Sequence, residues 1–227
     1  MPAGLSAEKI RLLGEYLRLT GESRVLDIAC GKGGPALILA ASYGCRVHGV
    51  EIRPAFAEAA RARAAALGLE SLIQVQTADA SGLQFEPETW DAALCLGASF
   101  LWGTIADAAA ALVPFVRQGD FVAIGEPFWR QWPLPEGIEK EDFVDLHATV
   151  ERFEQAGLAP IGIIAASEDD WDGYESLHWR ATEEWLAEHP DNPDADDMRS
   201  QHNRYRSDYF RFKRALLGWA IFVGRKL

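Results

Sequence analysis

Cysteine is scarce in this chain. There are three in 227 residues, Cys30, Cys45 and Cys95, and no CxxC pair among them. That excludes a disulfide scaffold and a CxxC redox motif. Each lies in or beside an apolar segment, so reduced, buried thiols are expected. Positive charge is also in deficit, with 22 Lys and Arg against 34 Asp and Glu and a formal net charge of −12. A nucleic-acid surface needs clustered basic residues, so DNA and RNA are not expected partners. Long apolar runs are missing too: none approaches the roughly 20 residues that cross a bilayer. The start, MPAGLSAEKI, lacks the basic segment followed by an apolar one that marks a secretory signal. The expectation is a cytoplasmic protein with a small-molecule partner and no membrane partner; no pattern in the sequence sets an oligomeric state.

What is present is enough apolar residue, 48% of the chain, for one well-buried α/β domain. Ser6 is a plausible N-cap, and Ile10, Leu13 and Leu17 recur at helical spacing until Gly21. Strands are expected over 24–29, 46–52, 73–77, 90–96, 120–125, 160–166 and 219–223. Helices are expected over 35–43, 54–67, 105–116 and 141–155. Strands rich in Val, Ile and Leu, separated by helices, predict a parallel sheet covered on both faces. Such sheets bind ligands beyond the carboxyl ends of their strands, where the strand order reverses. Residues 168–217 hold no strand pattern and read as two helices around the turn 189–197. In the second helix Met198, Tyr205, Tyr209, Phe212 and Leu216 share a face, and Gly218 is expected to end it. The expected organisation is one domain over 1–227: an amino-terminal helix in 1–21, a core over 24–167, a helical cap over 168–217 and a last strand in 218–227. The cap is read as either a lid or plain packing.

The glycine turn VLDIACGKGG, residues 25–34, raises the question of function. Gly31 to Ala36 satisfies GxGxxA, a dinucleotide fingerprint that is weak alone. Asp27 lies inside the first strand, four residues before Gly31. A buried carboxylate needs hydrogen bonds, which loop N–H groups or a ligand's ammonium can supply and a pyrophosphate cannot. Glu51 ends the second strand, where a carboxylate accepts hydrogen bonds from both hydroxyls of a ribose. Asp79 follows the third strand, where it can accept from an adenine amino group while the Ala80 N–H serves a ring nitrogen. A nicotinamide cofactor and S-adenosylmethionine (SAM) both carry that ribose.

With these residues in place, the chain resembles the class I SAM-dependent methyltransferases of small-molecule type, including uncharacterised bacterial members. The resemblance is carried by VLDIACGKGG, the acidic end of VHGVEI, TADA, WDAALCLGAS and DFVAIGEPFW, over roughly residues 24–130. Ala29 stands where that family often has the first of three glycines. The resemblance implies an α/β, Rossmann-like sheet of seven mostly parallel strands with an antiparallel last strand. Helices would cover both faces, with a helical insertion before the last strand. It further implies that Asp27, Gly31 and Gly33 line the methionine portion of the cofactor, with Ala29 also among the binding positions. Glu51 would hold the ribose, Ile52 would pack on the adenine, and Asp79 and Ala80 would hold its edge. Leu96, Gly97 and Ala98 would supply backbone beneath the sulfonium. S-adenosylhomocysteine (SAH) would be the product.

Methyl transfer from a sulfonium is an in-line displacement, so the missing Ser/His/Asp or Cys/His triad does not count against it. Two reactants must be held about 3 Å apart, aligned and dry. A base is needed only for an acceptor that must lose a proton. The strand end LGASF lacks the NPPY-type sequence that resembling enzymes use on adenine and amide nitrogens, and Cys95 is not preceded by proline as in cytosine C5 enzymes. The acceptor is therefore expected to be a small molecule methylated on O, N or C. Glu126 and His178 are the candidate catalytic residues, Glu126 as base or anchor just past the fifth strand. Trp129 and Tyr174 are the candidate substrate contacts, and Trp129 and Trp132 are read either as walls of an apolar pocket or as structural packing. Tyr174 and His178 would share a helix face. Asp169, Asp170 and Asp172 are read as a solvated run and no metal is expected. The arginines from Arg199 to Arg214 are read as salt-bridged rather than substrate-binding. Two alternatives stay open: a nicotinamide-dependent oxidoreductase and a non-catalytic SAM or nucleotide sensor.

Overall fold

The computed structural model describes residues 5–138 and 142–227. The first residues of the expected 1–21 and 141–155 segments lie outside them. The elements run α1 Ala7–Tyr16, β1 Arg24–Ile28, α2 Gly34–Tyr43, β2 Arg46–Glu51, α3 Pro54–Ala66, β3 Ile73–Thr77, β4 Trp90–Leu96, α4 Ile105–Leu112, β5 Val116–Trp129, α5 Leu146–Glu154, β6 Leu158–Ala165, α6 Glu168–Glu188, α7 Ala195–Asp208 and β7 Leu217–Lys226. The seven strands form one sheet in the order β3-β2-β1-β4-β5-β7-β6. β7 runs antiparallel to both of its neighbours. The crossover direction reverses between β1 and β4, which pair in parallel from Val25↔Ala92 to Ile28↔Cys95. Helices α1, α2 and α3 cover one face through Ile10, Leu13, Leu39, Ala40 and Ala64. Helices α4 and α5 cover the other through Ile105, Ala108, Leu112 and Phe153. Strand residues alternate between the layers: Val25 belongs to the first, Leu26 and Ile28 to the second.

Several boundaries differ from the sequence expectation, each for a physical reason. Helix α1 starts as expected, with the Ser6 hydroxyl capping Lys9, but it ends at Tyr16 rather than Gly21. The chain turns at Arg18, whose φ is +52°. Helix α4 stops at Leu112, and a 3₁₀ turn holding Pro114 leads directly into β5 at Val116. The largest difference is in β5 and β7, which pair from Phe121↔Arg225 to Trp129↔Leu217, well beyond 120–125 and 219–223. Pro127, beyond the expected end of the fifth strand, and Gly218, expected to end a helix, both lie inside these strands. Gly218 is there because Phe128 packs over it: a Cβ at that position would come within 2.4 Å of the Phe128 ring. Glu126 and Trp129 are consequently strand residues rather than loop residues.

The two cap helices lie between β6 and β7. A capping box between Ser167 and Asp170 starts α6, and a π turn over Tyr209–Lys213 carries α7 onward to β7. The cap is fastened where it meets the sheet. Asp170 pairs with Lys9 of α1. Asp172 accepts two 2.9 Å bonds from Arg214 and one of 2.6 Å from the Tyr209 hydroxyl. Arg214 also reaches Glu168 at 3.1 Å. Farther along, Arg199 pairs with Asp196 and Arg206 with Glu183.

Candidate functional site

A cavity of about 880 Å³ opens at the carboxyl-terminal tips of β1 to β4, at the reversal of strand order. Asp27, Ala29, Gly31, Glu51, Ile52, Asp79, Ala80, Leu96, Gly97 and Ala98 all line it, as do Tyr174 and His178 of α6. Gly33 does not. It is buried at φ +73°, and a Cβ on it would meet the Ala60 Cβ at 3.2 Å, so it lets the turn close against α3 instead of facing a ligand. Ala29 takes the same left-handed region at φ +55°, where a side chain is strained.

Three carboxylates arrive from successive strand tips, and their surroundings differ. Asp27 is 2% exposed, and its Oδ2 has no hydrogen-bond partner. Burial and then the nearby Glu51 charge push its pKa up to about 7. The Gly31 N–H goes to Glu51 Oε2 at 2.9 Å, and the Arg53 N–H goes to Oε1 at 2.9 Å. Glu51 thus stitches the glycine turn to its own strand end, a role the sequence suggests for Asp27. Each Glu51 oxygen keeps a free lone pair. Asp79 is exposed and accepts from the Ser81 N–H at 2.9 Å and the Ser81 hydroxyl at 2.7 Å, which hold its carboxyl below the usual range. The thiols of Cys30 and Cys95 back this floor; burial raises both, Cys95 to about 12.

A second cavity, of about 690 Å³, adjoins the first and shares Leu96, Gly97, Phe100 and Tyr174 with it. Glu126 lines this one, 9% exposed, with the Ser99 hydroxyl donating to its Oε2. Burial raises the Glu126 pKa against the pull of Ser99 and of Arg152. Trp129 is 0% exposed and lines neither cavity: at the far end of β5 it faces the interior, which corrects its expected place as a pocket wall. Trp132 lines neither cavity. Tyr174 and His178 do share a face of α6, with ring centroids 4.6 Å apart. Sequence reasoning misses Ser99, Arg152 and Lys213. Ser99 alone carries a signal, standing beside the strand end that Glu126 faces.

Residues 25–118 match a family model described as a methyltransferase domain. The chain is 31% identical over 223 residues to the uncharacterised protein YjhP of Escherichia coli, covering 95% of this chain and 90% of that one. A SAM-dependent methyltransferase of Thiobacillus denitrificans, solved in complex with SAH, superposes with a TM-score of 0.92 at 30% identity, over 100% of this chain and 94% of that one. The chain belongs to the SAM-dependent methyltransferase family. More distantly, 29% identity over 164 residues links it to the 27-O-demethylrifamycin SV methyltransferase of Amycolatopsis mediterranei, over 70% of this chain and 54% of that protein. Family membership sets aside the nicotinamide alternative. Among the described residues no helix is long and apolar enough to cross a membrane.

Proposed function

We propose that the cavity at the tips of β1 to β4 holds SAM, and that the adjoining one holds a small-molecule acceptor methylated on O, N or C. The enzyme would work in the cytoplasm, without a nucleic-acid or membrane partner. One observation carries the reading: a cavity of about 880 Å³ bounded by three carboxylates from consecutive strand tips, one of them buried with an unpartnered oxygen. That oxygen calls for a donor, and the amino-acid ammonium of SAM is one. Asp27, Ala29 and Gly31 would hold the methionine portion. Glu51 would take the ribose hydroxyls on the lone pairs its backbone bonds leave free. Ile52 would pack on the adenine, Asp79 and Ala80 would bind its edge, and Leu96 and Gly97 would lie beneath the sulfonium.

Bound there, SAM supplies an electrophilic methyl carbon whose sulfonium charge disappears on transfer. The residues common to both cavities, Leu96, Gly97, Phe100 and Tyr174, would keep acceptor and donor in contact and exclude water. Glu126, whose proton affinity burial raises, would in its carboxylate form receive a proton from an O–H or N–H acceptor, or anchor one that needs none. Ser99 would orient it, and His178 would contribute from the α6 side. That a relative is named for O-methylation of a rifamycin supports a small-molecule acceptor. Calorimetric titration with SAM, SAH and NADH is the test. SAM and SAH are expected to bind in the micromolar range and NADH not at all. Binding of NADH without SAM would sink the proposal. Release of SAH during incubation with a metabolite pool would distinguish an enzyme from a sensor.

A further inference from the structure

A third cavity, of about 460 Å³, lies between α6 and α7. Glu175 lines it at 1% exposure. Its Oε1 accepts from the Tyr205 hydroxyl at 3.0 Å, while its Oε2 has no partner. Burial keeps its carboxyl above the usual range even though Tyr205, His178 and Lys213 all pull the other way. Of the described residues lining the cavity, Glu175 is the one Asp or Glu, and no Lys or Arg joins it. Lys213 lies instead along the Glu126 cavity, with its ammonium 5.0 Å from the Tyr205 ring centre. The rest of the wall includes the rings of Tyr174, Trp179 and Tyr205. His202 Nε2 and Trp179 Nε1 are also buried without a hydrogen bond, although His202 comes within 3.3 Å of Glu183. Buried polar atoms are rarely left unpaired in native proteins, and the Glu175 oxygen, an acceptor on the wall of this cavity, points to a missing donor.

The ligand's chemistry follows from the walls. A buried carboxylate among aromatic rings favours an organic cation, which gains a charge-assisted hydrogen bond from the one and ring-quadrupole attraction from the others. The net charge of −12 adds a long-range attraction of the same sign. Tyr174 lines all three cavities, His178 is shared with the β-tip cavity and Tyr205 with the Glu126 cavity. We infer that the cap cavity is a subsite for an alkylammonium group carried by the methyl acceptor, with Glu175 as its counter-ion. This rests on the proposed placement of the acceptor beside Glu126 and narrows the substrate class to amines. Binding there, remote from the reacting atom, would hold the acceptor in register with the methyl group.

The test uses the full chain and calorimetry with phenethylammonium and its neutral counterpart 2-phenylethanol. The ammonium is expected to bind saturably, the alcohol at least about 10-fold more weakly. Glu175→Gln, which keeps the shape and the Tyr205 bond, is expected to erase that preference while leaving SAM affinity within about twofold. Unchanged SAM binding also shows that the variant is folded. Equal binding of alcohol and ammonium to the wild type, an unaltered preference in Glu175→Gln, or no saturable binding of the ammonium would overturn the inference. Failure of SAM to bind the wild type would overturn the cofactor reading instead, and the ammonium comparison could still be read by itself.

Discussion

At the tip of β1, Asp27 is buried with one oxygen unpartnered and its pKa pushed up to about 7. At the base of the cap, Asp172 accepts three hydrogen bonds from Arg214 and Tyr209, which hold its carboxyl below the usual range. Both are aspartates near the end of an element, yet one is left in tension and the other fully answered. The difference separates two uses of charge. On the proposed reading, a carboxylate that meets a ligand is left without a partner, and the fold carries the cost of its desolvation. Where it has to hold two elements together, the fold supplies the partner itself. Glu175, inside the cap but wired like Asp27, falls on the ligand side of that division.

The sharpest way to break the comparison is Asp27→Asn. Between about pH 3.8 and 7 the folded protein keeps a proton on Asp27 that the unfolded chain has released, so stability of the ligand-free wild type falls as pH rises through that window. Asparagine has no such proton. The variant is expected to match the wild type near pH 4 and to exceed it above pH 7 by on the order of 2–4 kcal/mol, because each tenfold difference in proton affinity between folded and unfolded chain is worth about 1.4 kcal/mol. Denaturant titrations at several pH values would show this, and parallel curves would show that Asp27 is not strained. The same variant should bind SAM more weakly, so stability and affinity would move in opposite directions. Glu51→Ala comes next, with an expected loss of about 1–3 kcal/mol in SAM affinity by calorimetry. It removes the acceptor of two backbone N–H groups as well as the proposed ribose contact. Unchanged affinity in a folded variant would remove Glu51 from the site.

Ala29→Gly sharpens the contrast from the backbone side. At φ +55° alanine carries a penalty that glycine lacks, so a gain of about 1 kcal/mol is expected, visible as a rise of roughly 2–4 °C in Tm. The smallest effect belongs to the outer cap. Arg206→Ala, which removes an exposed pair to Glu183, is expected to change stability by less than about 0.5 kcal/mol and to leave SAM affinity unaltered.

Much of this division is legible in the chain. Strands β1 to β4 fall within a residue of their expected bounds: β1 and β4 are buried and largely apolar, and the edge strand β3 alternates Ile, Val and glutamine between turns. The carboxylates at 27, 51 and 79 stand out because a charge at the end of such a run is conspicuous. The extensions of β5 and β7 are not legible. Pro127 and Gly218 signal turns locally, and only the packing of Phe128 across the antiparallel pair explains a glycine there. Trp129 escapes the sequence for the same reason, since its position depends on a strand that continues past proline. A glycine at position 33 of such a turn can serve either a ligand or a neighbouring helix, and the distance to Ala60 decides for the helix. Glu175 gives no signal because burial of a glutamate in a polar helix is a tertiary fact.

The fastening of the cap limits how anything enters beneath it. With Asp170 tied to Lys9 and Arg214 tied to Glu168 and Asp172, the end of the helix pair nearest the sheet cannot swing without breaking charged contacts on two elements. The opposite end, at the 189–194 bend, carries no comparable ties to the sheet among the described residues. If the cap opens to admit a substrate, the pivot is expected at the sheet end, where these pairs hold it, and the larger displacement at the distal bend.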